Sequence, residues 1–440
     1  MASFWCERAW LGGITSTSDV LIEVDGERIT AVTPSSPVPP GATVLRGLTV
    51  PGLANVHSHA FHRALRGRTQ KGTGSFWTWR EQMYGLAERL TPDTYFELAR
   101  AVYGEMVLAG ITAVGEFHYL HHGVGGVPYA DPNAMGAALV AAAGQAGLRI
   151  TLLDTCYLHG GIGVEPNEVQ RRFSDGDASR WAARVDGIAA PDGVVVGAAV
   201  HSVRAVDPAS IRVVTEWADA HGAPLHAHVS EQPGENDQCA AAFGRTPTQL
   251  LADHGALTDR FTSVHATHLT DTDIALYGAH ACTICMCPTT ERDLADGIGP
   301  ARALREAGAR LALGSDSHAV IDLFEEARAV ELDERLATQV RGHHTASNLL
   351  RDATSSGHAA LGRPDAGRLQ PGSLADFVTI RLDSVRTAGA GSGPEAAVFA
   401  ATAADVHHVV VGGRVVVADG HHASVDVAGE LARTIGALHA

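Results

Sequence analysis

Histidine and acidic side chains occur in this sequence at spacings that suit a bound metal ion. His57 and His59 are two residues apart, and on a β-strand that spacing places both imidazoles on one face, about 7 Å apart at Cα. His228 lies far along the chain with Glu231 three residues after it, and Asp316 lies further still. Three imidazoles and one carboxylate suit Zn²⁺ with an open position for water, and Fe²⁺ is the alternative.

Chance is the competing explanation for any single pair of histidines. The chain holds 24 histidines among 440 residues, and His226-Ala-His228 repeats the spacing of the first pair. The positions of these residues relative to the predicted strands therefore decide whether they form a site. Each predicted ligand closes or follows an apolar segment of β-strand character, and so do His201 and His265. Core histidines have no reason to collect at the same end of several strands.

Eight apolar segments alternate with segments of helical periodicity in the middle of the chain. The predicted strands are 50–56, 112–117, 149–154, 194–200, 224–229, 261–264, 281–286 and 310–314. This alternation predicts an α/β fold with a (β/α)8 TIM-type barrel, in which catalytic residues lie at the C-terminal ends of the strands. A doubly wound sheet is the alternative, but the chain lacks the Gly-x-Gly-x-x-Gly motif typical of that fold.

The two ends of the chain contain short β-rich segments separated by turns. We expect residues 1–49 and 367–440 to form together a small β-sandwich domain, discontinuous in sequence, with the barrel between them at residues 50–366.

Composition excludes several classes of protein. The net charge is −16, from 33 basic and 49 acidic side chains, so we expect neither nucleic acid nor an anionic membrane as a partner. A small anionic substrate stays compatible, because local arginines can outweigh the overall field. The six cysteines are too sparse for a disulfide scaffold. The sequence shows no apolar run of about 18 residues, and its first residues do not have the pattern of a signal peptide, so we expect a cytoplasmic protein.

Lys71 is the single lysine of the chain, and it follows Gln70. A phosphate-binding loop needs Gly before its lysine, so that motif is excluded. Cys282, Cys285 and Cys287 look like a metal cluster at first sight, but no second cysteine pair completes a site, and core packing is the better interpretation.

The ordered motifs of the chain resemble those of the amidohydrolase superfamily. They lie at 51–59, 228–231, 265 and 314–316, and the segment 367–376 is typical of the return into the β-sandwich. The resemblance implies that His57, His59, His228 and Asp316 hold the metal. Binuclear members commonly bridge two ions through a carboxylated lysine at the end of the fourth strand, and no lysine stands there. We therefore expect one divalent ion, as in the deaminase-like branch.

Within that branch the chain is similar to the formimidoylglutamate deiminase family. The segments that carry this similarity are 59–64, 75–84, 116–122, 201–206 and 287–297. The resemblance implies that Arg80, Tyr119, His201 and Arg204 bind the carboxylates of the substrate. His62 is also a candidate for substrate binding, and it stands where family members often carry Gln. A homodimer is expected from the resemblance alone.

The implied reaction is the hydrolysis of N-formimino-L-glutamate to N-formyl-L-glutamate and ammonia, in histidine degradation. We expect Asp316 to accept a proton from water, His265 to stabilise the tetrahedral intermediate and Glu231 to deliver a proton to the departing nitrogen. One alternative is another mononuclear deaminase acting on a purine, a pyrimidine or a guanidino or amidine compound. A second alternative is a non-catalytic barrel that serves as a scaffold.

Overall fold

The computed structural model describes residues 2–70, 74 and 76–440 of the chain. Lys71 and Ser75, both named in the sequence analysis, lie outside the described residues. Within the described part of the chain, no helix combines the length and apolar character needed to cross a membrane.

Eight parallel strands form the predicted barrel, in sequential order around the ring. They are β5 (Leu53–Ser58), β6 (Ile111–His118), β7 (Arg149–Cys156), β8 (Val195–Val200), β9 (Leu225–Val229), β10 (Phe261–His265), β11 (Thr283–Met286) and β12 (Arg310–Leu313). Strands β6 and β9 are buried along their whole length, as expected for strands covered on both faces. The prediction of a (β/α)8 barrel is confirmed.

The helices of the described residues cover the outside of the barrel and fill its connections. They are α1 (Phe76–Ala87), α2 (Pro92–Leu108), α3 (Ala134–Ala146), α4 (Ala178–Asp186), α5 (Pro208–His221), α6 (Pro233–Phe243), α7 (Pro247–Asp253), α8 (Asp271–Ala279), α9 (Pro288–Asp293), α10 (Ala301–Ala307), α11 (Leu323–Thr338), α12 (Ala346–Arg351), α13 (Gly357–Ala360), α14 (Pro394–Phe399) and α15 (Val427–His439). Gly147, Gly222 and Gly308 end α3, α5 and α10 in the left-handed conformation, which leaves glycine free of the strain a Cβ would bring.

The two chain ends form a second sheet of eight strands. Its strands are β1 (Ala2–Ala9), β2 (Thr17–Asp25), β3 (Arg28–Thr33), β4 (Thr43–Pro51), β13 (Phe377–Ile380), β14 (Val406–Val411), β15 (Arg414–Ala418) and β16 (His421–His422). Their order in space is β16-β15-β14-β13-β4-β1-β2-β3, so β4 and β13 join the N-terminal and C-terminal parts.

The predicted strand at residues 50–56 is wrong as a single element. The structure divides it between β4, which belongs to the end sheet, and β5, which opens the barrel. Gly52 separates the two strands, and a Cβ at this position would lie 2.1 Å from Oγ1 of Thr112 on the neighbouring barrel strand. The apolar run continues across the break because both strands are buried, so hydrophobicity alone could not locate it.

Two backbone hydrogen bonds close the barrel at the ends of its first and last strands. The amide of Asp316 donates to the carbonyl of His57 (3.0 Å), and the amide of His59 donates to the carbonyl of Asp316 (3.3 Å). The closure of the ring therefore brings together residues about 260 positions apart in the sequence.

A buried ion-pair network fixes α4 against the end of β7. Arg184 donates to both carboxylate oxygens of Asp154, at 2.8 and 2.9 Å, and also to both oxygens of Asp175. Asp154 is 1% exposed and also accepts the indole N–H of Trp181 (3.0 Å). Burial raises the pKa of Asp154, but the guanidinium outweighs that effect and brings the pKa to about 2.

We expect the Arg184→Met substitution to lower the free energy of unfolding by about 3–5 kcal/mol, because it removes the guanidinium that pairs with the buried Asp154 and with Asp175. Urea denaturation measures this loss. Arg180→Met is the matched control on the same helix, because the Arg180 side chain is 75% exposed and pairs only with nearby Asp177. Equal stability of the two variants would contradict the prediction.

Candidate active site

The four predicted metal ligands lie together at the C-terminal mouth of the barrel. Nε2 of His57 lies 3.1 Å from Nε2 of His228 and 3.2 Å from Oδ1 of Asp316. Nε2 of His59 lies 3.4 Å from each of the same two atoms. The four ligand atoms all lie within 4.8 Å of one another, and the four side chains are buried. These side chains could therefore hold one metal ion.

Hydrogen bonds on the far side of two imidazoles determine which nitrogen faces the cluster. Nδ1 of His59 donates to the carbonyl of Phe117 (3.0 Å), and Nδ1 of His228 donates to the carbonyl of His201 (2.8 Å). A neutral imidazole that donates through Nδ1 presents a bare lone pair at Nε2. Burial lowers the pKa of His57, His59 and His228, which keeps these rings neutral. Lone pairs and a carboxylate that face one another this closely repel unless a cation lies between them, so the donors fit a divalent metal.

His265 lies beside this cluster and between three carboxylates. Its Nε2 is 3.8 Å from Oδ2 of Asp316 and 3.7 Å from Oε1 of Glu231, and its Nδ1 is 3.4 Å from Oε1 of Glu291. Burial lowers the pKa of His265, but the acids outweigh it and raise the pKa well above its ordinary value. His265 can therefore donate hydrogen bonds from both ring nitrogens.

Glu231 occupies a place from which it can carry a proton between groups in the cavity. The side chain is 6% exposed and lines the same cavity as His59, His228 and Asp316. Burial raises the pKa of Glu231, and the neighbouring His265 acts in the opposite direction. A raised pKa suits a carboxyl group that must both hold and release a proton.

The backbone at this rim adopts conformations that are rare for residues other than glycine. Positive φ angles occur at Ser230 (53°), His265 (69°), Ala266 (53°), Asp316 (42°) and His318 (59°), at or shortly after the ends of β9, β10 and β12. Such strain persists only where surrounding structure enforces it, and it is commonly found at functional sites.

Glu116, in β6, holds the loop that carries His59. Its carboxylate accepts the hydroxyl of Ser58 (2.6 Å) and the amide of Ala60 (2.7 Å), one residue on each side of His59. Burial raises the pKa of Glu116 to about 7. The sequence analysis assigned no role to this residue, although it stands in the segment 116–122 that carried the family resemblance.

The candidate substrate residues line one cavity above the metal ligands. His62, Arg80, Tyr119, His201 and Arg204 all contribute to its wall, so the structure brings the whole predicted set together. Trp79, Met83, Tyr84, Tyr157 and Phe173 supply an aromatic and apolar surface between them.

Arg204 differs from most arginines of the chain because it lacks a direct partner among the described residues, although its charge lowers the pKa of the buried acids Glu231 and Glu235 against the larger effect of burial. Within the part of the chain that the structure describes, it has no ion pair and no hydrogen bond, and its Nε is buried without a partner. A half-buried guanidinium with no acceptor is costly unless a ligand supplies one. The direction of its exposed surface into the cavity indicates an anionic ligand.

His62 and Tyr119 form a hydrogen-bonded pair beside the metal ligands. Nε2 of His62 lies 2.9 Å from the phenol oxygen of Tyr119, and its ring centroid lies 4.5 Å from that of His59. Burial lowers the pKa of His62 to about 3, so the ring is neutral. Nδ1 of His62 is buried and has no partner in the described residues.

Several residues at the site were missed by sequence reasoning. Glu291 contacts His265, while Tyr84, Tyr157 and His159 line the cavity. Glu291 follows β11, so the rule that strand ends carry functional residues could have found it. Tyr157 directly follows β7, so the same rule could have found it, whereas Tyr84 lies within α1, where no periodic signal separates a cavity wall from ordinary packing.

A second group of possible ligands, His118, His121 and Asp154, does not have the character of a metal site. Its ligand atoms also lie within 4.8 Å of one another. Arg184 already donates to both oxygens of Asp154, however, so a cation is present there. Cys282, Cys285 and Cys287 are buried free thiols, which agrees with the packing role expected from the sequence.

The chain belongs to the amidohydrolase family, whose model matches residues 48–416. It is 36% identical to the formimidoylglutamate deiminase of Pseudomonas aeruginosa, in an alignment that covers 98% of this chain and all of that relative. It is 29% identical to a 5-methylthioadenosine/S-adenosylhomocysteine deaminase of Natronomonas pharaonis, over 92% of this chain and 89% of the relative. Among solved structures, an amidohydrolase from Brucella melitensis superposes with a TM-score of 0.93 at 33% identity, over the full length of both chains.

Proposed function

We propose that this protein is a formimidoylglutamate deiminase, which hydrolyses N-formimino-L-glutamate to N-formyl-L-glutamate and ammonia. The observation that carries the proposal is the division of charge within one cavity. Arg204 lines the cavity without a direct partner among the described residues, and the carboxylates of Glu231 and Asp316 line the same cavity at the metal ligands. The substrate has two carboxylates and a cationic formimino head, so its charges match both kinds of group.

We propose that His57, His59, His228 and Asp316 hold one divalent cation, and Zn²⁺ suits three imidazoles and one carboxylate best. When bound, the cation supplies Lewis acidity, which makes a neighbouring water molecule easier to deprotonate. The neutral imidazoles described above need lose no proton to bind it.

The side chains of the site can carry the protons of the reaction. Oδ1 of Asp316 faces the imidazoles, so Oδ2 is left to accept a proton from the attacking water. His265 donates a hydrogen bond toward the oxygen that adds to the formimino carbon. Glu231 delivers a proton to the nitrogen as its bond to that carbon breaks. Water and the formimino group thereby yield a formyl group and ammonia.

Different side chains of the cavity suit the two ends of the substrate. Arg80, Arg204 and His201 provide donors for the carboxylates, and Tyr119 is the nearest phenol to the metal ligands. His62 provides a neutral nitrogen for the formimino head. A neutral ring avoids repulsion with a cationic group, so His62 can replace the Gln of other family members.

We also propose, from the family resemblance, that the protein acts in histidine degradation as a cytoplasmic homodimer. A purine deaminase is the second candidate, favoured by the 29% identity to the 5-methylthioadenosine/S-adenosylhomocysteine deaminase. 5-Methylthioadenosine has no carboxylate for Arg204, and S-adenosylhomocysteine has one where N-formimino-L-glutamate has two. Two arginines in the cavity therefore support the first candidate over the second.

Ammonia release from N-formimino-L-glutamate tests the proposal. The panel for comparison contains adenosine, 5-methylthioadenosine, 8-oxoguanine and a guanidino acid. We expect turnover of N-formimino-L-glutamate alone. Turnover of any other member, without release from N-formimino-L-glutamate, would overturn the assignment.

We expect about one metal ion per chain in the purified protein, and the His228→Ala variant to lose both the ion and the activity. Elemental analysis measures the ion, and chelation followed by addition of Zn²⁺ tests its reversibility. His226→Ala is the matched control on the same strand, because Nε2 of His226 lies 3.1 Å from the carbonyl of Ala360 rather than at the cluster. Retention of the ion by His228→Ala would refute the ligand set.

A further inference from the structure

Two phenols in the cavity wall share one hydrogen-bond donor. Nε2 of Gln170 donates to the phenol oxygen of Tyr157 (2.7 Å) and to that of Tyr84 (3.0 Å). Gln170 is 3% exposed, and it begins the short 3-10 helix Gln170–Phe173, whose last residue packs against both tyrosine rings. One segment therefore positions the hydroxyl groups and the rings together.

The orientation of the Gln170 amide follows from its other hydrogen bonds. Its Oε1 accepts the backbone amide of Asn167 (2.9 Å), and its own backbone amide donates to Oδ1 of Asn167 (2.9 Å). Only an oxygen can accept from the Asn167 amide, so the NH₂ group must be the end that faces the tyrosines. Both phenol oxygens are therefore acceptors in these bonds.

A phenol oxygen that accepts from Gln170 still has its own hydrogen to donate. Burial raises the pKa of Tyr157, which keeps that hydrogen in place. Tyr157 and Tyr84 both line the active-site cavity. If one phenol donates to the other, one hydrogen is left for a ligand in the cavity.

An arginine lies near each of the two phenols. The charge of Arg204 lowers the pKa of Tyr157 against the larger effect of burial, and the Tyr157 ring centroid lies 4.5 Å from that of His201. The guanidinium carbon of Arg80 lies 5.6 Å from the centroid of the Tyr84 ring. The phenols therefore lie close to the two arginines that we assign to substrate carboxylates.

We propose that Tyr157 and Tyr84 form a carboxylate subsite, in which a phenol hydroxyl donates to one carboxylate of the substrate and Gln170 orients the pair as donors. The inference rests on the proposed function. It adds two binding residues and one positioning residue, and it makes selectivity for a dicarboxylate depend on neutral donors as well as on arginines.

The Tyr157→Phe and Tyr84→Phe variants test the subsite. We expect Tyr157→Phe to raise KM for N-formimino-L-glutamate roughly tenfold, because a hydrogen bond to a charged group is lost, with kcat within about twofold of wild type. Two analogues, each with one carboxylate replaced by its amide, identify the partner. With one of the two analogues, Tyr157→Phe should no longer raise KM. Tyr84→Phe should raise KM for the intact substrate and should likewise have no effect on KM for that same analogue.

Gln170→Met tests the positioning role. Without the NH₂ group the phenol oxygens lose their donor, so the hydroxyl groups are no longer held toward the cavity. We expect KM to rise for the intact substrate, kcat to change little, and the same amide analogue to abolish the effect. Tyr277→Phe is the control for loss of a buried phenol, because its hydroxyl contacts Thr248 and Ser263 far from the cavity. It should leave KM unchanged.

Calorimetric binding of N-formyl-L-glutamate provides a readout that needs no turnover. Tyr157→Phe should weaken this binding roughly tenfold, by the same lost hydrogen bond. Unchanged KM and unchanged binding in both tyrosine variants would overturn the inference and leave the proposed function standing. So would an effect that persists in full with both amide analogues, because it would indicate general distortion of the cavity. Failure of the wild type to release ammonia would instead overturn the proposed function.

Discussion

The Glu231→Gln variant should lose roughly 10³-fold in kcat, within the range typical for removal of a general acid or base. Gln keeps the size and the hydrogen-bonding atoms of the side chain, but its amide cannot take up and release a proton at the departing nitrogen. The variant should keep its metal ion, because Glu231 is not among the four clustered ligands. KM should change by much less than kcat, since binding of the carboxylates does not involve this residue.

Steady-state ammonia release, with metal content measured on the same sample, tests this prediction. Glu235→Gln is the matched control, because Glu235 is an equally buried acid of the same segment that does not line the cavity. It should retain activity within a few-fold of wild type. A kcat for Glu231→Gln within tenfold of wild type would refute the role of Glu231 as proton carrier.

Arg204→Met should lower kcat/KM for N-formimino-L-glutamate by roughly 10²–10³-fold, the usual loss when one partner of a buried charge pair is removed. Most of the loss should appear in KM, because the guanidinium binds a carboxylate remote from the reacting carbon. The free energy of unfolding should change little, because removal of a half-buried charge without a direct partner in the described residues is offset by the loss of its attraction to the buried acids Glu231 and Glu235.

The comparison of substrate and amide analogues separates binding of a carboxylate from general damage. One analogue carries an amide in place of the carboxylate that contacts Arg204. Arg204→Met should barely affect kcat/KM for that analogue. Arg212→Met, which replaces an exposed arginine on α5, is the control and should behave as wild type. An unchanged KM in Arg204→Met would contradict the assignment of this residue to substrate binding.

Local sequence pattern was sufficient to predict the barrel and the edge where chemistry occurs. The alternation of apolar segments and helical segments predicted eight barrel strands, and the barrel of the described residues has eight. Polar residues at the ends of those segments predicted the mouth of the barrel, because parallel strands present their C-terminal ends on one side. The metal ligand candidates could be named for the same reason.

Spacing alone does not distinguish between residues that have the same local pattern; the family motif selected His228, and the tertiary structure gives the physical reason. His57 and His59 both reach the cluster, whereas of the similarly spaced His226 and His228 only His228 does. Residues two apart on a strand differ by about 7 Å in height, so the lower ring of the second pair reaches Ala360 instead. His59 does not lie a full 7 Å above His57, because β5 ends at Ser58 and the hydrogen bonds to Asp316 that close the barrel turn the chain back toward the cluster.

The sequence by itself determined which residue types stand at the strand ends, because hydrophobic periodicity and strand polarity are local properties of the chain. It could not determine that Arg204 has no direct partner among the described residues, that Glu116 holds the loop of His59, or that Gln170 donates to two phenols. Each of these depends on contacts between residues distant in sequence, whose geometry exists only once the ring of strands closes.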